Sequence, residues 1–221
     1  MREAAGSDPS LPQPPTLRGV LHAVAFVVSC VAGALFVAAA PAAHALGAVA
    51  FAVPASLMLG TSALYHRVVW SPRRRLWMRR ADHAGVFLLI AGTYTPVALV
   101  GLQGAWRTAV LALVWTGAGV ATLAKVCWVR SPKWLSAAIG IALGWVGVVA
   151  LPQLARSEGL VPILLLAAGG IAYTAGAVVY ARRRPDPLPR VFGYHELFHA
   201  LTIVALACQY VAVAVFIVGV S

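Results

Sequence analysis

Seven long runs of apolar residues divide this chain and constrain its fold more than any other feature. Each run has roughly 20 residues, the length of helix that crosses a hydrocarbon layer of about 30 Å. The runs cover residues 18–40, 44–66, 83–101, 106–127, 132–152, 159–181 and 194–219. With 61% hydrophobic and 10% charged residues, a chain of 221 residues cannot bury this surface in a soluble core. The runs also lack the strict alternation of a membrane β-barrel. The sequence therefore predicts an all-α polytopic membrane protein with seven transmembrane helices.

The positions of the Lys and Arg residues predict how these helices are oriented. A formal net charge of +11 would suggest nucleic-acid binding in a soluble protein. In this chain, all 17 Lys and Arg residues except Arg107 and Arg156 lie on the side that holds the N-terminus. The positive-inside rule therefore predicts a cytosolic N-terminus and an external C-terminus in the cell membrane. We expect no nucleic-acid partner.

The first 16 residues differ in composition from the rest of the chain. They contain four prolines, which disfavour any regular hydrogen-bonded element. We expect residues 1–16 to form a disordered cytosolic tail ahead of a seven-helix transmembrane domain of residues 17–221.

Ionisable residues collect at the predicted cytosolic ends of three spans. His66 ends the second span, Asp82 and His83 begin the third, and His195 and His199 begin the last. Unpaired polar groups in lipid cost a few kcal/mol each, so residues of this kind are candidates for function. His195 and His199 are four residues apart, and their rings therefore share one helix face and can bind one metal ion.

Three imidazoles from two helices suit a catalytic zinc site. His66, His195 and His199 would provide three ligands and leave the fourth position for water or substrate. Asp82 is the candidate for accepting a proton from that water or orienting it. Ser62, one turn before His66, could hydrogen-bond a substrate carbonyl or the water. Simpler interpretations remain open: His66 as an interfacial helix end, Asp82 as a helix N-cap, and Ser62 bonded to the carbonyl one turn back.

Other polar residues receive a structural interpretation. His22 in the first span and His44 at the outer start of the second have no evident partners, and we assign them no functional role. The arginines between the second and third spans are interpreted as a topology anchor that also attracts anionic lipid. They are Arg73, Arg74, Arg75, Arg79 and Arg80.

Three motifs in this order resemble the haemolysin III family. They are Ser62-Ala63-Leu64-Tyr65-His66, then Asp82-His83 followed by Leu89-Ile90-Ala91-Gly92-Thr93-Tyr94-Thr95-Pro96, and finally His195-Glu196-Leu197-Phe198-His199. The segment from Gly169 to Gly176 is similar to the sixth-helix pattern of that family. The resemblance covers spans two to seven.

This family is the bacterial branch of the progestin and adipoQ receptor group, which is placed with alkaline ceramidases among seven-helix membrane hydrolases. The resemblance implies a zinc ion (Zn2+) on the cytosolic side, bound by His66, His195 and His199, with Ser62 and Asp82 beside its water. Gln209 departs from the pattern, because several members carry a histidine there. It lies nearly three turns beyond His199, so we expect the change to affect packing rather than metal binding.

The favoured functional hypothesis is a metal-dependent hydrolase of a lipid-like amide or ester. Its partners would be membrane lipids, including a lipid-like substrate that arrives through the bilayer, and no protein partner is predicted. A protease that uses His-Glu-x-x-His, with Glu196 as general base, is an alternative. A pore-forming cytolysin and a ligand-sensing receptor for membrane homeostasis are alternatives from other classes, although six acidic residues provide no obvious charged ring for a pore.

Overall fold

Helices make up the fold of this protein. The computed structural model describes residues 14–218, except for the side chains of residues 157 and 158. The helices are α1 Val20–Ala39, α2 Ala45–Arg67, α3 Pro72–Gly101, α4 Gly104–Cys127, α5 Lys133–Gly144, α6 Leu151–Glu158, α7 Leu160–Arg182 and α8 Tyr194–Val218. Short 3-10 turns, Ala42–His44 and Val146–Ala150, precede α2 and α6. Among the described residues, seven helical segments are long and apolar enough to cross a membrane, which confirms the all-α, seven-span prediction.

Most of the predicted tail lies outside this description, which begins at residue 14. Its last residue, Thr16, donates its backbone N–H to the carbonyl of Arg190, at 3.1 Å. Leu17 makes the next bond, to the carbonyl of Val191 at 3.2 Å. The chain just before α1 is therefore attached to the connection between α7 and α8.

The third helix begins eleven residues before the predicted start at residue 83, so that boundary is wrong. Pro72 occupies the first turn, where its missing N–H leaves no helical hydrogen bond unmade. The arginines predicted to lie in a connection are consequently helical. Asp82 and His83 lie in the interior of α3, roughly 15 Å from its first residue. This position excludes the interpretation of Asp82 as an N-cap.

The fifth span is broken rather than continuous over residues 132–152. Helix α5 ends at Gly144, and α6 begins after the 3-10 turn. The Tyr94 side chain of α3 satisfies backbone groups at the break: its hydroxyl donates to the carbonyl of Gly144 at 2.6 Å and accepts from the N–H of Gly147 at 2.8 Å. Irregular backbone is tolerated at membrane depth when protein groups pair with it in this way.

Helix α3 occupies the centre of the bundle. It packs against α2, α4, α5, α6 and α8, while α7 pairs with α8, and α1 packs against α2 and α8. Close approach of α2 and α3 requires Gly92, because a Cβ there would lie 2.5 Å from the carbonyl oxygen of Ala50. Apolar side chains such as Val24, Leu35 and Leu57 are exposed on the outside, where lipid would cover them. The buried apolar core joins the middle of α2, α3 and the second half of α8.

Candidate metal centre

Three histidines meet at one end of the bundle. His66 projects from the last turn of α2, and His195 and His199 project from the first turns of α8. Their ligand atoms all lie within 4.8 Å of one another, and the Nε2 atoms of His66 and His195 are 3.1 Å apart. The structure therefore brings together the three residues predicted from the sequence.

The donor set fits a zinc ion. Imidazole nitrogens suit zinc, and at Zn–N distances of 2.0–2.1 Å two tetrahedral ligands are separated by about 3.3 Å. The separation of the His66 and His195 Nε2 atoms is close to this value, and the ligand atom of His199 lies within 4.8 Å of both residues' ligand atoms. His199 is buried, whereas His66 and His195 are half-buried.

Ser62 and Asp82 line the same cavity as the three histidines. Ser62 is buried on α2, one turn before His66, and its side chain neighbours the Asp82 carboxyl group. The Nδ1 of His83 lies 3.5 Å from Oδ2 of Asp82 and 2.8 Å from the carbonyl oxygen of Arg79. A hydroxyl and a carboxyl group thus line the same cavity as the three imidazoles.

Glu196 does not share the cavity with Asp82. Its side chain is 1% exposed, and Oε1 is bonded to the guanidinium of Arg18. Oε2 accepts the N–H of Gly193 at 2.9 Å, a capping bond at the first turn of α8. Oε1 therefore joins α8 to the turn ahead of α1, and Oε2 caps the start of α8. This geometry argues against the protease interpretation, which needs Glu196 beside the metal.

His22 is a component of the site that the sequence interpretation missed. Its ring is 2% exposed and stacks on His199, with centroids 3.7 Å apart and planes inclined by 8°. Arg18 in the turn before α1 and His22 in the first turn of α1 both contact residues at the start of α8. The available signal was a histidine inside an apolar span, which is rare without a function.

Two cavities meet beside the histidines. The first, of about 300 Å³, holds the polar site and is named the polar cavity. The second, of about 170 Å³, lies among α3, α5, α7 and α8 at the break in the fifth span and is named the apolar cavity. Val86, Gly140 and Ala177 line both. The histidine site is thus adjoined by an apolar space in which a hydrocarbon chain could lie.

Gln209 lines the apolar cavity and is not part of the histidine cluster. It is 6% exposed, and its Nε2 donates to the carbonyl oxygen of Leu166 at 3.4 Å. A Cβ at Gly169 would lie 2.6 Å from this Nε2, so the absence of a side chain there admits the amide. Gln209 therefore participates in the packing of α7 against α8.

The fold and the site define a multi-pass membrane protein with a buried three-histidine cluster at one end of the bundle. The family described as Haemolysin-III related matches residues 12–210, and the chain belongs to this family. The Hemolysin-3 homolog of Bacillus subtilis (strain 168) is 27% identical over 170 residues, which are 77% of this chain and 76% of that protein.

Two further relatives extend the comparison. Hemolysin-3 of Bacillus cereus is 38% identical over 99 residues, or 45% of each chain. Heptahelical transmembrane protein ADIPOR2 of Oryza sativa subsp. japonica is 32% identical over 188 residues, covering 76% of this chain and 80% of that one. The resemblance noted from the sequence motifs is therefore confirmed at the level of the family.

Proposed function

We propose that this protein is a zinc-dependent hydrolase of lipid-like amides or esters, with its site near the cytosolic face of the cell membrane. The observation that carries the proposal is the cluster of His66, His195 and His199 beside Asp82, in a cavity that adjoins an apolar one. The three imidazoles would hold the ion. A zinc ion bound there acts as a Lewis acid on a carbonyl and activates water.

The residues facing the histidines supply acid–base and binding groups. The Asp82 carboxylate would accept the proton of the attacking water and later return it to the leaving amine or alcohol. The Ser62 hydroxyl would donate a hydrogen bond to the substrate carbonyl oxygen and fix its direction. His83 lies against Asp82 and would hold the carboxylate in position.

The two adjoining cavities support a lipid-like substrate. An acyl chain in the apolar cavity would leave its carbonyl at the boundary formed by Val86, Gly140 and Ala177, which opens toward the polar groups. Burying the chain stabilises the complex by about 0.8 kcal/mol for each methylene. Remote binding of this kind would orient the scissile bond.

Metal analysis of purified protein tests the proposal. We expect about one zinc per chain and cleavage of a fluorogenic lipid amide or ester, with both lost in His195→Ala. His44→Ala is the matched control, because His44 bonds the carbonyl oxygen of Ile217 at 3.0 Å, away from the cluster. Asp82→Asn should retain zinc and lose cleavage. Unchanged metal content in His195→Ala would refute the zinc site.

The name of the Bacillus cereus relative, Hemolysin-3, favours membrane lysis as a second candidate function. Purified protein added to dye-loaded liposomes would release the dye if it lyses membranes. Leakage that is unaffected by Asp82→Asn would support lysis over hydrolysis. Metal-dependent ligand binding without cleavage or leakage would instead support a sensor.

A further inference from the structure

The wall of the polar cavity carries four cationic side chains and a single carboxylate among the described residues. The cations are Arg18, Arg79, Lys125 and Lys133, and the carboxylate is that of Asp82. Arg18 is neutralised by Glu196. No described carboxylate lies within 4 Å of the charged ends of the other three, since the ion pairs of the described side chains involve Arg18 and His83. The cavity wall therefore carries more positive than negative charge.

Lys125 is the most informative member of this group. It lies in the last turn of α4, is only 5% exposed, and donates from Nζ to the Ser131 hydroxyl at 2.5 Å. Lysines that orient a protein in the membrane have ammonium groups in the headgroup region. The buried ammonium group of Lys125 does not reach lipid headgroups, so this role does not account for it. A buried cation without a counter-charge costs several kcal/mol, which an anion in the cavity would offset.

Lys133 places a second positive charge near the histidines. Its Nζ donates to the Tyr194 hydroxyl at 2.9 Å and lies over the rings of Tyr180 and Tyr194, at 4.5 and 4.8 Å. The rings of Tyr194 and His195 are in turn 6.1 Å apart. The ammonium group of Lys133 thus contacts Tyr194, whose ring neighbours His195 of the proposed metal site.

We infer that the polar cavity binds the oxyanion of an amphiphile, a phosphate or a carboxylate, through Lys125, Lys133 and Arg79. The hydrocarbon chain of the same molecule lies in the apolar cavity, which shares Val86 and Gly140 with the polar one. The inference rests on the proposed function only in making this molecule a substrate or product. It assigns to the two lysines a ligand-binding role in addition to their contribution to membrane orientation.

Binding without turnover tests the inference. Full-length protein in a neutral detergent is titrated with oleoyl lysophosphatidic acid, with monooleoylglycerol, which has the same chain but no phosphate, and with inorganic phosphate. We expect the phosphorylated amphiphile to bind at least about tenfold more tightly than the neutral one, because one charge-assisted hydrogen bond changes affinity by about that factor. Salt should weaken binding of the phosphorylated amphiphile alone. Equal affinity for the two amphiphiles would overturn the inference. Inorganic phosphate that binds as tightly as the amphiphile would overturn the assignment to a lipid.

Charge-removing variants locate the binding groups. Lys125→Gln and Lys133→Gln should each reduce the preference for the phosphorylated amphiphile by about tenfold. Arg130→Gln is the matched control, because it removes one charge at an exposed position in the connection between α4 and α5, which lies between the two lysines. An equal loss in Arg130→Gln would overturn the inference. If Lys125→Gln does not fold, Lys133→Gln and the salt dependence of the wild type still decide the question.

Zinc content measured on the same samples separates this inference from the proposed function. Protein without zinc or cleavage that still prefers the phosphorylated amphiphile would support the anion site and refute the hydrolase. Protein with zinc and cleavage but no preference would refute the anion site alone.

Discussion

Replacement of Glu196 by Gln tests whether this residue stabilises the bundle or takes part in catalysis. The carboxylate is 1% exposed, pairs with Arg18 ahead of α1 and accepts the N–H of Gly193 at the start of α8. Glutamine keeps the shape and one acceptor oxygen but removes the charge. The bond to Gly193 can therefore persist, whereas the ion pair with Arg18 is lost.

The burial of the two partners sets the size of the expected effect. Removing one member of a fully buried ion pair costs about 3–5 kcal/mol, and a hydrogen bond to a charged group contributes about 1.5–3 kcal/mol. Arg18 is 24% exposed, so its guanidinium can regain part of its hydration when Glu196 is neutral. We therefore expect Glu196→Gln to lower the free energy of unfolding by about 1–3 kcal/mol.

A double-mutant cycle in detergent solution measures this coupling. Unfolding free energies are compared for the wild type, Glu196→Gln, Arg18→Gln and the double variant. We expect the double variant to be about as stable as either single variant, with a coupling energy of about 1–3 kcal/mol. Zinc content should stay near that of the wild type in Glu196→Gln, because Glu196 does not face the histidines.

One result would refute the structural role. If Glu196→Gln has wild-type stability and zinc content but no hydrolytic activity, Glu196 acts in catalysis, as the protease interpretation requires. If Glu196 is structural and Asp82 transfers the proton, Asp82→Asn is instead the variant that keeps stability and zinc but loses hydrolytic activity. Comparing the two variants in one activity assay therefore distinguishes the two carboxylates.

Two further predictions concern residues that the sequence interpretation did not assign to the site. His22→Ala should weaken zinc binding up to about tenfold, because the stacked ring holds His199 in its plane, and His22→Phe should restore most of the affinity in a competition titration. Equal loss of zinc affinity in both variants would show that stacking of the ring at position 22 on His199 does not support zinc binding. Tyr94→Phe should lower the free energy of unfolding by about 2–4 kcal/mol, because two backbone groups at the break in the fifth span lose their partner. Unchanged thermal stability of Tyr94→Phe would contradict this account of the break.

The sequence alone was sufficient to predict the number of spans and the residues of the histidine cluster. Transfer of a helix into lipid depends on the summed polarity of about 20 consecutive residues, which can be read locally. The histidines of the last span were recognisable for the same reason, because a four-residue spacing places both rings on one face of any helix. His66 could be added because it lies at the end of a span predicted to finish on the same side.

Tertiary structure alone decided the start of α3, the break after Gly144 and the roles of His22 and Glu196. Proline at a first helical turn and glycine within a span are compatible with several local conformations. The break is stabilised by Tyr94, which lies 50 and 53 positions before the two residues that it bonds, Gly144 and Gly147. His22 meets His199, and Arg18 meets Glu196, only because α1 packs against α8. Local polarity determines which segments enter the membrane, whereas contacts between distant segments depend on how the helices pack, and a single sequence does not encode that packing in any local pattern.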